Sequence, residues 1–209
     1  MCRLCLRNDD MRLVIASNNK GKIAEMSDLL ADLGVEIISQ REAGFTDDVD
    51  ETGTTFMENA RLKATAASKA LGCAVIADDS GLMVDALNGE PGVFSARYTG
   101  NHDDSDEDRY RYLLKKMEGI RDRSARFVCS ICCILEDGTE INADGTCEGN
   151  ILETPRGNDG FGYDPVFQPL GYEQSMAELG AVKQQISHRA RALSVFKTKL
   201  EEYFNGADQ

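Results

Sequence analysis

The sequence predicts a mixed α/β fold, and three observations carry that reading. A short run of branched apolar residues, Arg12 to Ala16, leads through a polar junction into a helix-period pattern and then a second apolar run, Val35 to Ser39. A second helical pattern ends at Gly72 and is followed by another apolar run, Cys73 to Ala77. Beyond residue 126 the pattern changes to closely spaced strands joined by tight turns, before a final amphipathic helix.

Each element has a local cause. Arg12 to Ala16 (RLVIA) suits a strand buried on both faces. The helix after it places Ile23, Met26, Leu29, Leu30 and Leu33 on one side and stops at Gly34. With Val35 to Ser39 it makes a βαβ opening, for which a right-handed crossover is expected. Thr55-Phe56-Met57-Glu58 has the form of a capping box, and its helix turns Phe56, Ala60, Ala64, Ala67 and Leu71 inward. Cys73 to Ala77 then delivers Asp78, Asp79, Ser80 and Gly81 at its carboxyl end, where ligands collect in open α/β sheets. Ser105 to Asp108 opens a helix through Tyr112, Leu113 and Met117. Phe127 to Leu135, a turn at Asp137-Gly138, Glu140 to Ala143 and Thr146 to Ile151 read as antiparallel strands. From Ser187 onward Leu193, Phe196, Leu200 and Phe204 mark the last helix. The first eleven residues lack periodicity and read as a flexible extension, so that one domain occupies residues 12–209.

Composition narrows the function classes. Hydrophobic residues make up 42% of the 209, enough for a packed core, and no apolar stretch approaches the roughly 20 residues that span a bilayer. No secretory leader pattern is visible, and a soluble, cytoplasmic protein is expected. A formal net charge of −13 argues against nucleic acid as a partner, because a phosphate backbone requires a basic face. Seven irregularly spaced cysteines, among them Cys2, Cys5, Cys129, Cys132 and Cys133, read as reduced thiols rather than a metal site.

Four places could carry chemistry. At the junction Ser17 to Lys22 a helix N-terminus offers free N–H groups, and Ser17, Asn19 and Lys22 add a hydroxyl, an amide and a cation. The Walker A spacing is absent, so the choice lies between a phosphate cradle and a polar turn that caps a helix. Asp78 and Asp79 are two adjacent carboxylates after a buried strand, costly to place together unless a cation separates their charges. Mg²⁺ fits such oxygens; the alternative is a solvated turn. Asp50-Glu51 is a similar, weaker signal. In Gly160-Phe161-Gly162-Tyr163-Asp164 glycines flank an aromatic, which permits close approach of backbone and stacking on a flat ligand, or simply makes an aromatic turn. Lys183 and the pair His188-Arg189 lie near the start of the last helix, as anion or carbonyl contacts or as capped helix ends. The acidic run Asp103 to Asp108 lacks an EF-hand pattern and reads as a helix start.

Taken in order, the segments SNNKGK, ETGTTFMENARLKA, IADDSGLMVDALNGEPGVFSARYTG, GFGYDPVF and ISHRARAL resemble the inosine triphosphate pyrophosphatase family from about Arg12 to Phe204. The resemblance implies the ITPase-like, or Maf/Ham, fold: an elongated mixed β-sheet with flanking helices, two lobes around a central cleft, in a homodimer. It implies Mg²⁺-dependent hydrolysis of ITP, dITP and XTP to the monophosphate and pyrophosphate. By the same carry-over Ser17, Asn19 and Lys22 hold the triphosphate, Asp79 is the proton acceptor and a metal ligand, and Glu51 is a further metal carboxylate. Ser80 contacts substrate, and Phe161, Gly162, Tyr163, Asp164, Lys183, His188 and Arg189 form the base and phosphate pocket. Two positions depart from the family pattern: Lys20 adds a cation in the first turn, and Asp159 stands where glycine is common.

These roles make physical sense. The substrate carries about four negative charges, so catalysis is mostly positioning and neutralisation. Hydrogen-bond donors from the backbone or Arg189 would pair with a purine 6-keto oxygen, and a 6-amino group would leave them unpaired, a mismatch that can reach roughly 10⁴-fold. A Maf-like pyrimidine nucleotide pyrophosphatase and a non-catalytic nucleotide sensor are the rival readings, and the GFGYDP and SHR segments speak against the first, intact Asp79 and Glu51 against the second.

Overall fold

Strand β1, Arg12–Ile15, is buried at three of its four positions, which its unbroken apolar run requires. The computed structural model describes residues 12–101 and 103–206; the expected N-terminal extension, with Cys2 and Cys5, lies outside them. Helix α1 (Lys20–Leu30) begins at the Asn19 cap and passes into a 3-10 turn over Ala31–Leu33. Gly34, at φ 68°, ends it, and β2 (Glu36–Ser39) returns parallel to β1. Helix α2 (Phe56–Leu71) carries the full capping box predicted at Thr55 and Glu58. Then follow β3 (Ala74–Val84), α3 (Asp106–Lys116), β4 (Ser124–Ile134), β5 (Glu140–Ile151), the short β6 (Phe167–Pro169), α4 (Lys183–Ile186) and α5 (His188–Gly206). One mixed sheet joins the strands in the order β2-β1-β3-β4-β5-β6, with β1 parallel to β2 and β3 and β5 antiparallel to β6.

Two strand assignments differ from the sequence pattern. Asp78 to Gly81 lie within β3, not in a turn at its end. The two carboxylates stay in extended, buried backbone because lysine and arginine side chains compensate them there. Pairing with β1 nevertheless reaches only Ile76, with Ala16 N donating to Ile76 O, so the carboxylates emerge just beyond the carboxyl edge of the parallel strands. Residues 140–151 form one strand instead of two, since Asp144 and Gly145 continue the alternation of buried and open positions. Asp144 also accepts a hydrogen bond from Ser130 Oγ at 2.5 Å.

The chain divides into two compact units. One holds the residues up to Asp79, Cys129–Gly145 and Arg189 onward; the other holds Ser80–Val128 and Thr146–His188. In the first, one apolar cluster joins Leu13, Ile15, Met26, Ile76, Ile131 and Phe196. A second cluster sets Val14, Val75 and Cys132 against Ala60, Ala64 and Ala67 of α2. The small side chains on α2 let the helix lie close to the sheet. The second unit packs Leu82, Leu113, Phe127, Tyr163, Val166 and Phe167 together. Cys129, Cys132, Cys133 and Cys147 are buried and in no disulfide, as expected, and Cys73 is half-buried. Among the described residues no helix is long and apolar enough to cross a membrane.

Two substitutions separate capping from packing. Thr55→Ala removes the side chain that accepts from Glu58 N and should cost about 1 kcal/mol, whereas Phe196→Ala, in a site 0% exposed, should cost roughly 3–5 kcal/mol. Urea unfolding midpoints at constant slope check both; equal losses would mean that α2 is not held by its cap or that the α5 site collapses around the gap.

Candidate active site

In the first unit five elements bring charged groups to one place. Helix α1 supplies Lys22 and Glu25, the loop before α2 supplies Glu51, α2 supplies Asn59 and Lys63, β3 supplies Asp78 and Asp79, and α5 supplies Arg189. Asn59, Asp78, Asp79 and Arg189 are all buried. Burying charges is tolerated only when they are paired and hydrogen-bonded, so the partners of each decide what the cluster can do.

Asp78 is the innermost. Its Oδ2 accepts from Arg189 Nη2 at 2.9 Å and Nε at 3.3 Å, and Lys22 Nζ lies 3.3 Å away. Arg189 also donates to Glu25 through Nη1. Burial would raise the Asp78 pKa, but Lys22, Arg189 and Lys63 outweigh it and hold the carboxyl well below the usual range. Arg189 is raised in turn: burial opposes its charge, and Asp78 and Glu25 more than restore it. The pair is therefore ionised on both sides. Asp78 Oδ1 has no hydrogen-bond partner, the only carboxylate oxygen among the described buried side chains left so.

Asp79 is placed differently. Its Oδ2 accepts from Asn59 Nδ2 at 3.1 Å, and its Oδ1 lies 3.5 Å from Lys63 Nζ and 4.0 Å from Lys22 Nζ. Burial dominates here and the pKa is raised, against the pull of Lys63 and Lys22 and with a push from Glu51. Two neighbouring aspartates are thus driven apart, one a fixed anion and the other a better proton acceptor than an exposed aspartate. Lys63 Nζ also sits 2.6 Å from Glu51 Oε1. Burial works against its charge, but Asp79, Glu51 and Asp78 hold its pKa above the ordinary lysine value. Glu51 and Asp79 consequently both direct oxygens at the Lys63 ammonium.

Asn59 is oriented by the backbone. Gly53 N donates to its Oδ1 at 2.8 Å, which leaves Nδ2 for Asp79. A Cβ on Gly53 would lie 2.6 Å from that same Oδ1, so the approach depends on glycine. At the first junction Asn19 Oδ1 accepts from Lys22 N at 3.0 Å and caps α1, and Ser17 Oγ accepts from Asn19 N at 3.2 Å. Asn18 Oδ1 accepts from Gln40 Nε2 at 2.9 Å. The turn is therefore a helix cap, and it presents the start of α1 and Lys22 together. Lys20, the first residue of α1, is exposed.

The second unit gathers most of the remaining predicted residues. Asp164 Oδ2 accepts from Phe161 N at 3.0 Å and from Lys183 Nζ at 2.7 Å. The same ammonium stands 4.9 Å from the centre of the Phe161 ring. Gly162 N donates to Asp106 Oδ2 at 2.6 Å, and Tyr163 OH donates to Ser95 O at 2.8 Å. His188 is buried and stacks on Phe127, ring centres 4.8 Å apart and planes 14° from parallel. Ser80, half-buried on β3, belongs to this unit as well.

Two of the predicted groups therefore stand out: Lys22, Glu51, Asp79 and Arg189 share one charged cluster, and Phe161, Gly162, Asp164 and Lys183 share one loop system. Sequence reading passed over Asn59 and Lys63, and offered Asp78 only as one half of a carboxylate pair. A signal for the first two existed, because an asparagine and a lysine four residues apart interrupt the inward, otherwise apolar face of α2.

The sequence model of the Ham1 family matches residues 13–199. The chain belongs to the Ham1 family. A protein of an Exiguobacterium strain named dITP/XTP pyrophosphatase is 45% identical over 197 residues, covering 94% of this chain and all of its own. One of the same name from Bacillus licheniformis is 45% identical over 193 residues, 91% of this chain and 98% of its own. Among solved structures, the Ham1 protein of Staphylococcus aureus superposes with a TM-score of 0.82 at 46% identity, covering 92% of this chain and 99% of its own. A HAM1 protein from Coxiella burnetii gives 0.83 at 42% identity, over 92% and 99%. The family's α/β fold is thus the one described above.

Asp78→Asn leaves Arg189 buried without its main counter-charge and should destabilise the protein by roughly 3–5 kcal/mol. The pH dependence has a definite sign. The folded pKa of Asp78 is depressed, so its contribution is complete above an unfolded value near 3.9 and is lost as pH falls below it. Denaturant midpoints from pH 7 down to pH 3 should show wild type losing more stability than the Asn variant; parallel curves would mean Asp78 is not ionised in the folded state.

Proposed function

We propose that this chain hydrolyses deaminated purine nucleoside triphosphates, ITP, dITP and XTP, to the monophosphate and pyrophosphate, with Mg²⁺ as cofactor. The observation that carries the reading is the convergence of Glu51 and Asp79 on one cationic position, with Lys22 beside it at the start of α1. Membership of the Ham1 family and the names of the relatives agree with it.

The chemistry follows from the groups present. A water oxygen forms a bond to the α-phosphorus while the bond from that phosphorus to the α–β bridging oxygen breaks, and pyrophosphate leaves with its electron pair. Asp79 takes the water's proton, for which its burial and raised pKa suit it. Lys22, with the N–H groups at the start of α1, holds phosphate oxygens. Glu51 and Asp79 would hold Mg²⁺, which supplies charge neutralisation on the phosphates. Lys63 bridges the two carboxylates and adds a second cation near the reacting phosphates. Asn59 holds Oδ2 of Asp79, which leaves Oδ1 toward Lys63. The family resemblance assigns Phe161 to the purine, and the cation of Lys183 over that ring favours an electron-rich base. Arg189, fully engaged by Asp78 and Glu25, acts mainly by holding this charge balance. A homodimer rests on the family resemblance.

Pyrophosphate release from ITP, XTP, GTP, ATP and dTTP, each with Mg²⁺ and with EDTA, tests the reading. Metal-dependent release from ITP and XTP with little from the others is expected; release from none of the purines would sink it. Asp79→Asn should abolish turnover while raising the melting temperature, because burial penalises the charge that the Asn variant removes and an amide oxygen still accepts from Asn59. Near-normal turnover in that variant would take Asp79 out of the mechanism.

A further inference from the structure

Asp106 lies in the first turn of α3 but takes no part in capping it. The cap is Ser105, whose Oγ accepts from Asp108 N, and Asp108 Oδ2 accepts in return from Ser105 N at 2.9 Å. That leaves the Asp106 carboxylate for a partner 56 residues away: its Oδ2 accepts from Gly162 N at 2.6 Å. Its Oδ1 is held at 2.5 Å by Arg109 Nη2, and Arg109 Nη1 donates to Asp104 O at 2.6 Å, so the carboxylate is itself fixed in direction. Gly162 stands at φ 64°, a left-handed conformation that turns its N–H out of the chain's ordinary path and toward α3.

The neighbouring N–H, of Phe161, is taken by Asp164 Oδ2. Two successive loop donors therefore end on two different carboxylates, one local and one from α3. The local one also binds Lys183, which lies over the Phe161 ring. Tyr163 is fastened independently through its hydroxyl to Ser95 O. Of these ties, only the one from Asp106 fixes Gly162, the residue between the stacking ring and the anchored tyrosine. Hydrogen bonds to a charged acceptor at this distance are among the stronger ones a loop can make.

We infer that Asp106 is a positioning residue for base selection: by holding Gly162 N–H it sets where the Phe161 ring stands, and hence how tightly a deaminated purine is distinguished from an amino-bearing one such as guanine. The inference rests on the assignment of the Phe161 loop to the purine. Removing the acceptor frees the loop without touching Asp79, Glu51 or Lys22, so the loss falls on base recognition and not on the chemical step.

The experiment compares wild type, Asp106→Ala, Asp106→Asn and Arg109→Ala in steady-state kinetics with ITP and GTP, together with hydrogen exchange of the Gly162 amide by NMR. In Asp106→Ala, KM for ITP should rise about tenfold, the preference for ITP over GTP should fall, kcat should change little and the Gly162 amide should exchange faster. Asp106→Asn keeps a carbonyl acceptor and should restore most of KM and of the amide protection; Arg109→Ala, which only loosens the carboxylate, should fall between. If Asp106→Ala matches wild type in KM, preference and amide exchange, or if Asp106→Asn is as impaired as Asp106→Ala, the positioning role is overturned. Failure of wild type itself to release pyrophosphate from ITP would instead remove the underlying assignment, and the amide exchange would still report whether Asp106 holds the loop.

Discussion

The ion pair between Asp78 and Arg189 is the interaction on which the first unit's site depends. Asp78 comes from the middle of the sheet, Arg189 from the start of α5, and Glu25 and Lys22 from α1 close the group. A buried pair of this kind is weak evidence for net stability, since the desolvation of both ions offsets much of their attraction. Its stronger consequence is geometric. With Asp78 engaged on one side of β3 by Arg189 and Lys22, the next residue, Asp79, must project to the other side of the strand, toward α2. There it meets Asn59 and Lys63. Alternation along a strand thus turns two adjacent carboxylates into two chemical environments.

That division also reconciles a net charge of −13 with the anionic substrate proposed for this chain. What a phosphate meets is the local field, and here Lys22 and Lys63 stand within 4.0 Å of the same aspartate. The remaining negative charge is spread over exposed side chains, where salt screens it over about 10 Å. A strongly acidic protein can therefore hold a strongly acidic ligand, provided that its cations are concentrated and partly shielded from water.

Much of the fold was legible in the sequence because its signals are local. The capping box at Thr55, the glycine stop at Gly34 and the apolar run at Leu13 to Ile15 each act within a few residues. The charged turn at Asp78 was misplaced for the converse reason: two acidic residues followed by Ser80 and Gly81 look like a solvated turn until the cations that allow them to stay extended are known. Those cations lie 15, 56 and 111 residues away, at Lys63, Lys22 and Arg189, and no local pattern reports them. Asp106 was hidden similarly, inside an acidic run that helix electrostatics explained well enough. The candidate residues themselves were found by order and motif; their division of labour needed the third dimension.

The orientation of Asn59 has one more consequence. Because Gly53 N–H fixes the carbonyl end of that amide, its NH₂ end can point only at Asp79. The side chain is therefore directional, giving hydrogens to the site on one side and receiving them from the backbone on the other. An aspartate of the same size at this position would fill the space equally well and still accept from Gly53, yet it would face Asp79 with lone pairs in place of hydrogens. Shape alone could not tell the two apart. At this point in the protein, identity is written in the polarity of one group, and the least conspicuous substitution available would be among the most disruptive.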